Sequence, residues 1–314
     1  MQESHSNNHT NDFDNEIDLR ELFYVLFQGK WIIVSVTAFI SIIGVIYSLS
    51  LPNIYTSKAL LAPVNPASGI SGALGSYSGL AGLAGISIPS GGNENNSVKA
   101  MQKLSSLSFF ENNILKNIFL PNLMAVKSWN LETNTLIYDD SIFKMKSNTW
   151  VGDYSNSRKK IPSAQESFKV FTSHLSLSEN KNTGFITLSV KHQSPFIAKQ
   201  WAELVVNEVN TFYRQKDKAQ SEKAIIYLNQ QILMTSFSEI KQVIAELLQE
   251  ETQKLTLIEA NQYYVFDYID PPAVMDQKSE PKRSLICILS ALLGGMLSIV
   301  LVLIKHYVFK KKAA

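Results

Sequence analysis

Tyr263-Tyr-Val-Phe-Asp-Tyr-Ile-Asp-Pro-Pro272, a polar spacer to Pro281-Lys-Arg283, and Ser284-Leu-Ile-Cys-Ile-Leu-Ser-Ala-Leu-Leu-Gly-Gly-Met-Leu-Ser-Ile-Val-Leu-Val-Leu-Ile304 form the stretch that decides the fold. It reads as a strand, a proline-stiffened entry and a membrane span. The last part is about 20 residues without a charge, which at 1.5 Å per residue matches a hydrocarbon core roughly 30 Å thick. A second uncharged run of about the same length, Trp31-Ile-Ile-Val-Ser-Val-Thr-Ala-Phe-Ile-Ser-Ile-Ile-Gly-Val-Ile-Tyr-Ser-Leu-Ser-Leu51, lies near the N-terminus. Two spans, one near each end, enclose everything between them. An even number of crossings places both tails on one side and the intervening domain on the other.

Composition narrows the reading. The 314 residues have a formal net charge of +2, which gives no electrostatic footprint for nucleic acid. The single cysteine, Cys287, lies inside the second apolar run, so the chain has no internal disulfide and no cysteine-based metal cluster. About 30 polar and acidic residues precede the first apolar run and no small-residue cleavage site follows it, so it reads as a retained anchor. Arg20, Lys30, Lys305 and Lys310 to Lys312 flank the spans on the tail side, against Lys58, Lys278, Lys282 and Arg283 on the other, which favours cytoplasmic tails. The expected division is a tail with a short interfacial helix over 1–30, a span over 31–51, a domain over 52–283, a second span over 284–304 and a tail over 305–314.

In chain order, the first residues are too poor in apolar side chains to pack. Ile17, Leu22 and Leu26 then mark one face of a short interfacial helix or an upstream extension of the span. Pro52-Asn-Ile-Tyr-Thr-Ser-Lys-Ala-Leu-Leu-Ala-Pro63 reads as a strand. Residues 66–92 are dominated by Gly, Ser and Ala and read as a loop without the Lys-Ser/Thr signature of a phosphate cradle. Val98, Met101, Leu104, Phe109, Phe110, Ile114 and Ile118 predict an amphipathic helix stopped by Pro121. Period-two alternation over 169–178 and 184–192 predicts a β-hairpin, with His174 and His192 as polar residues on its outer face.

From Ser194-Pro195 nearly to Asn261 the pattern is helical, with serine before a first-turn proline as the start signal. One unbroken rod of that length would travel about 100 Å, yet the strand that follows must return to the membrane, since the second span begins a dozen or so residues after that strand, at most ~45 Å of extended chain. A rising and a falling helix resolve this, with Ser236-Phe-Ser-Glu239 as the restart and Phe237, Ile240, Ile244 and Leu247 at heptad-like steps; an unbroken helix is the alternative. Between the apolar portions, residues 214–223 are highly charged and suit either a solvated face or pairing with a neighbouring copy.

No Gly-x-Ser-x-Gly elbow and no His-Glu-x-x-His occurs, and the adjacent acids Asp139-Asp140 and Glu250-Glu251 diverge in direction. The sequence therefore predicts no catalytic residue, no metal site and no cofactor.

The assembled pattern resembles the Wzz family of polysaccharide co-polymerases, the chain-length determinants of lipopolysaccharide O-antigen. Ile17-Asp-Leu-Arg-Glu-Leu22, Lys30-Trp31, the first span and Leu51-Pro-Asn-Ile-Tyr-Thr-Ser-Lys-Ala-Leu60 support the resemblance at one end; Val265-Phe-Asp-Tyr-Ile-Asp-Pro-Pro272, Pro281-Lys-Arg283 and the Gly294-Gly295 span support it at the other. The resemblance implies an α+β fold, with two transmembrane helices flanking a periplasmic domain that has a membrane-proximal α/β base and a long helical protrusion. It also implies an inner-membrane location with both termini in the cytoplasm, and assembly as a ring-like homo-oligomer. Its partners would be the O-antigen polymerase, the growing lipid-linked polysaccharide and the membrane, with no nucleic acid. The function implied is non-enzymatic: setting how many repeat units the polymerase adds. A capsule- or exopolysaccharide-export relative working with a separate tyrosine kinase is the alternative, since relatives fused to such a kinase carry a nucleotide-binding domain after the second span.

Two groups of residues are candidates for function. Ser290, Gly294 and Ser298, with Ala291 and Gly295, leave shallow rows along the second span that suit close packing on the first span near Gly44. Pro271, Pro272 and Pro281 stiffen the passage from strand to bilayer.

Overall fold

The computed structural model describes residues 19–64, 96–151 and 161–306. The Gly-rich stretch 66–92 and most of the first tail lie outside them. The chain divides into two compact units, 52–280 and a second formed by 1–51 with 281–314.

The second unit is the membrane pair. Helix α1 (Leu19–Gln28) runs into α2 (Lys30–Ser50) at Gly29, and α8 (Arg283–Ile304) packs along α2. Both α2 and α8 are long and apolar enough to cross a bilayer. Phe39, Ile42, Ile46, Leu292 and Met296 are exposed, as lipid-facing positions are when lipid is the solvent.

Unit 52–280 is built on a four-stranded sheet in the order β6-β7-β1-β8, every neighbour antiparallel. Strand β1 (Tyr55–Pro63) alternates, burying Tyr55, Ser57, Ala59 and Leu61. Strand β7 (Ile186–His192) does the same with Ile186, Leu188, Val190 and His192. Pairing of Ala59 with Leu188 and of Ser57 with Val190 puts both apolar rows on one face. Period two is what makes this possible, because a one-residue slip would turn every one of these side chains to solvent.

That face is covered by the first part of α6 (Pro195–Met234) and by α5 (Ala164–His174). Helix α6 buries Ala198, Trp201, Ala202, Val205, Val206, Val209 and Tyr213, a helical stripe of three to four residues per turn. Each large side chain so buried contributes about 1.5–3 kcal/mol. Phe110 fills the space beneath, 5.0 Å from Phe171 and 5.6 Å from Phe168 between ring centroids. Strand β8 (Phe266–Asp270) completes the sheet beside β1, with Phe266 buried.

Several expectations are corrected. The helix expected over 95–123 is broken: α3 (Asn96–Leu104) ends before Ser105 and Ser106, and a π turn (Phe110–Ile114) brings Phe110 and Ile114 together into the core. Pro121 stops nothing. It sits in the first turn of α4 (Leu120–Met124), where its missing N–H has no cost. Residues 169–174 are helix rather than strand, because Ser163 and Glu166 form a capping box that starts α5: Ser163 Oγ accepts from Glu166 N at 3.2 Å, and Ser163 N donates to Glu166 Oε2 at 2.8 Å.

The hairpin itself is present but shorter, β6 (Leu175–Glu179) against β7, and its turn uses Gly184 at φ +70, a left-handed conformation that suits glycine. Residues 126–150, weak in pattern, form two small hairpins, β2 (Val126–Asn130) with β3 (Thr135–Tyr138) and β4 (Phe143–Lys144) with β5 (Thr149–Trp150), sealed by Phe143 against Trp150 at 5.0 Å. The long helical region does break, at Thr235–Phe237, before α7 (Ser238–Ala260); Ser236 does not cap it, and Phe237 takes the capping position with no side-chain hydrogen bond.

Candidate functional site: a glycine seam and a bare helical arm

Between α2 and α8 the contact is set by small residues. A side chain at Gly44 would overlap Ser290, and a Cβ at Gly294 would lie 3.1 Å from Ile40 Cβ and 3.3 Å from Thr37 Cα. Ser298 Oγ stands 3.4 Å from Thr37 Oγ1, and at the far end Gly29 faces Val302. Backbones approach closely only where no side chain intervenes, and in lipid that contact is the main source of helix association. The two rows on α8 differ: Ser290, Gly294 and Ser298 line the seam, whereas a Cβ at Gly295 would meet nothing within 4 Å and Ala291 is half-buried.

The prolines sit on a passage that is also held by hydrogen bonds. Pro272 is buried and Pro271 exposed, and residues 273–280 run beside the start of β1. There Ser57 Oγ donates to Ala273 O at 2.8 Å, Ser279 N to Ile54 O at 2.8 Å and Ile54 N to Glu280 O at 3.0 Å, while Lys191 Nζ meets Glu280 Oε1 at 2.6 Å. Pro281, in the other unit, is half-buried, and its carbonyl accepts from Arg283 N at 3.0 Å as α8 begins.

Helix α6 has two halves. Up to Tyr213 it belongs to the core; beyond Tyr213 its one buried residue is Ser221, and it pairs with α7 as an antiparallel arm. Ile244 and Ile258 of α7 are buried in that pair, and Lys218 bonds Glu259 across it, which raises the lysine and lowers the carboxyl from their ordinary values. The outer surface is apolar where it should be polar. Leu233 is 85% exposed, Met234 78% and Phe237 68%, with Ile226, Tyr227, Ile240 and Leu247 also exposed. With Val243, eight large apolar side chains bare within one helical hairpin describe a surface made to be covered.

The root of the arm is fixed by groups that the sequence pattern missed. Asn210 is buried, and its Oδ1 accepts from the backbone N–H of Val265 at 2.7 Å, Phe266 at 2.9 Å and Tyr264 at 3.3 Å, while its Nδ2 donates to Phe266 O at 2.9 Å. Tyr264 donates its hydroxyl to Asp217 Oδ2 at 2.7 Å, and burial first, then Asp217, pushes that phenol up. An asparagine at an otherwise apolar position of the α6 stripe was the available signal.

His192, expected on an outer face, is fully buried beside Trp201, at 5.0 Å between ring centroids, and His174 lies 6.2 Å away. Its parity with Ile186, Leu188 and Val190 along β7 dictates the inward position. Burial chiefly holds it neutral, with a pKa of about 4. Among the described residues no three His, Cys, Asp or Glu side chains gather as a metal set. What the arrangement can do is hold membrane helices together and present a surface.

Residues 15–120 match the family model of Wzz, chain length determinant protein, and residues 228–307 match that of the G-rich domain on putative tyrosine kinase. No curated protein matches the sequence. Among solved structures, a full-length bacterial polysaccharide co-polymerase is 16% identical with a TM-score of 0.42, covering 95% of this chain and 100% of its own. A fragment of WzzB, polysaccharide co-polymerase from Salmonella Typhimurium, is 12% identical with a TM-score of 0.31, covering 73% and 100%. The first family match spans α1, α2, β1 and α3; the second spans the arm, β8 and α8. Through residues 15–120, which include its first span and the strand that follows, the chain is similar to the Wzz family of chain length determinant proteins.

Proposed function

We propose that this protein regulates the chain length of lipopolysaccharide O-antigen, or of a related surface polysaccharide, as a co-polymerase that works with the polymerase and forms or breaks no glycosidic bond itself. The paired spans anchor it in the inner membrane, with 52–280 in the periplasm and both tails in the cytoplasm. The observation that supports the reading most strongly is the arm, whose exposed Leu233, Met234, Phe237 and Ile240 ask for a partner. In a ring-like homo-oligomer neighbouring copies cover part of that surface, and the ring offers the growing lipid-linked chain or its polymerase an extended support for a limited number of additions. Pro271, Pro272 and Pro281 act as a stiff connector into the second span, and Gly44 with Gly294 as its packing point.

The match of 228–307 to the G-rich domain on putative tyrosine kinase favours a second reading, an export co-polymerase served by a separate kinase. Deleting the gene separates the two. The chain-length reading expects polysaccharide synthesis to continue with its length distribution broadened toward short chains. The export reading expects surface polymer to be lost, and loss again when the partner kinase is removed.

A further inference from the structure

His192 joins three elements at the foot of the arm. Its Nδ1 accepts from Ser194 N at 2.9 Å, and Ser194 is the residue that precedes the first turn of α6. Its Nε2 lies 2.9 Å from Asn122 O, at the middle of α4. A carbonyl can only accept, so Nε2 carries the proton and Nδ1 is bare: the structure holds one neutral tautomer, and both ring nitrogens are used.

We propose that this junction is an acid-sensitive latch: protonation of His192 releases the foot of α6 from β7 and α4. A proton on Nδ1 would point at the Ser194 N–H, so two donors would face each other where one bond had been. The new charge would also sit in a site with no access to water, beside Trp201 and 6.2 Å from His174. Both consequences disappear when the ring swings out, and the ring can do so only if Ser194 and Asn122 part.

The groups around His192 leave it without a compensating charge. From α5, His174 faces it; the His174 Nδ1 lies 2.6 Å from Lys191 O and is its donor in the neutral or the charged ring, so His174 keeps its own bond in acid while opposing a proton on His192. From β1, Tyr55 is its register partner. Lys191, next along β7, lies on the other face of the strand and pairs with Glu280. From α6 come Ala198 and Trp201, and from α4 the Asn122 carbonyl, with the Tyr138 hydroxyl donated to Asn122 Oδ1 at 2.7 Å. Among the described residues no carboxylate is one of the groups that shift it.

The physiological use of such a latch rests on the reading that 52–280 lies outside the cytoplasm, where pH follows the surroundings. The latch itself does not, and the test below is independent of location. Amide hydrogen exchange of the full-length chain in detergent is followed at pH 7 and pH 5, each corrected for the intrinsic pH dependence of exchange. A ring titrating at about 4 when latched and at its ordinary value of about 6.5 when released gives roughly a 20-fold loss of protection at pH 5. The loss is expected at 194–201 and 122–126, and not in the arm beyond 213.

His192→Asn keeps an acceptor for Ser194 N–H and cannot titrate, so it should show no such loss, and His174→Gln should retain it. Where His192→Asn does not fold, the wild type decides through the ring carbon resonance of His192. Titration in the interval where protection falls supports the latch. Protection that falls while His192 stays neutral, or that survives its protonation, overturns it, as does an unchanged pH response in a folded His192→Asn.

Discussion

Two residues at the foot of the arm show what single side chains do here. Asn210 Oδ1 serves three backbone N–H groups in a row, so truncation leaves buried donors without an acceptor. Asn210→Ala should lower unfolding stability by about 3 kcal/mol, read as a lower denaturant midpoint for the full chain in detergent. His192 sets a pH dependence whose sign follows from its lowered pKa. The unfolded ring binds a proton near 6.5 and the folded ring near 4, so its stabilisation is complete above about 6.5 and is lost as pH falls from there to about 4. The loss is about 3 kcal/mol at most, and a denaturation series over that interval measures it; in a folded His192→Asn the His192 share of the slope should be absent. Neither residue was found by motif. Polarity alone suggests an outer face for His192, but its parity with Val190 turns it inward, and Asn210 lies in a stripe where the neighbours, Val206 and Val209, make the helical period read as simply apolar.

Whole elements were legible where one period ran long enough. Both spans, β1, β7, β8 and the break in the helical arm follow from apolar patterning and from the distance the chain must return. The elements that escaped are short or locally capped: four strands of two to five residues over 126–150, and α5, whose start depends on the pair Ser163 and Glu166 rather than on any periodicity. The seam between spans was legible only in part. On α8, Ser290-Gly294-Ser298 and Ala291-Gly295 are equally small in sequence, and it is contact with Gly44, Ile40 and Thr37 that selects the first row. In a Cys287→Ser background, cysteines at Thr37 and Ser298 should cross-link efficiently. Gly294→Leu should cut that yield several-fold, as loss of about 1–2 kcal/mol of helix packing implies, whereas Gly295→Leu should leave it intact. Equal effects of the two substitutions would contradict the seam.

For the molecule as a whole, the division of labour is visible in where burial stops. The sheet and the helices over it gather their apolar residues into one core, whereas the arm beyond Tyr213 buries Ile244 and Ile258 and leaves Leu233, Met234 and Phe237 bare. Leu233→Asp with Phe237→Asp should therefore leave each copy folded, since both side chains are exposed, while lowering the mass of the assembly in detergent. An assembly of unchanged mass would remove the arm from the interface. If the chain limits polymer length without making polymer, the ladder of surface polysaccharide on a gel from a strain lacking the gene will show it. Synthesis should continue, and a narrow length distribution should become broad and dominated by short chains, with the wild-type distribution restored by the intact gene. Complete loss of polymer, or a ladder identical to wild type, would contradict it.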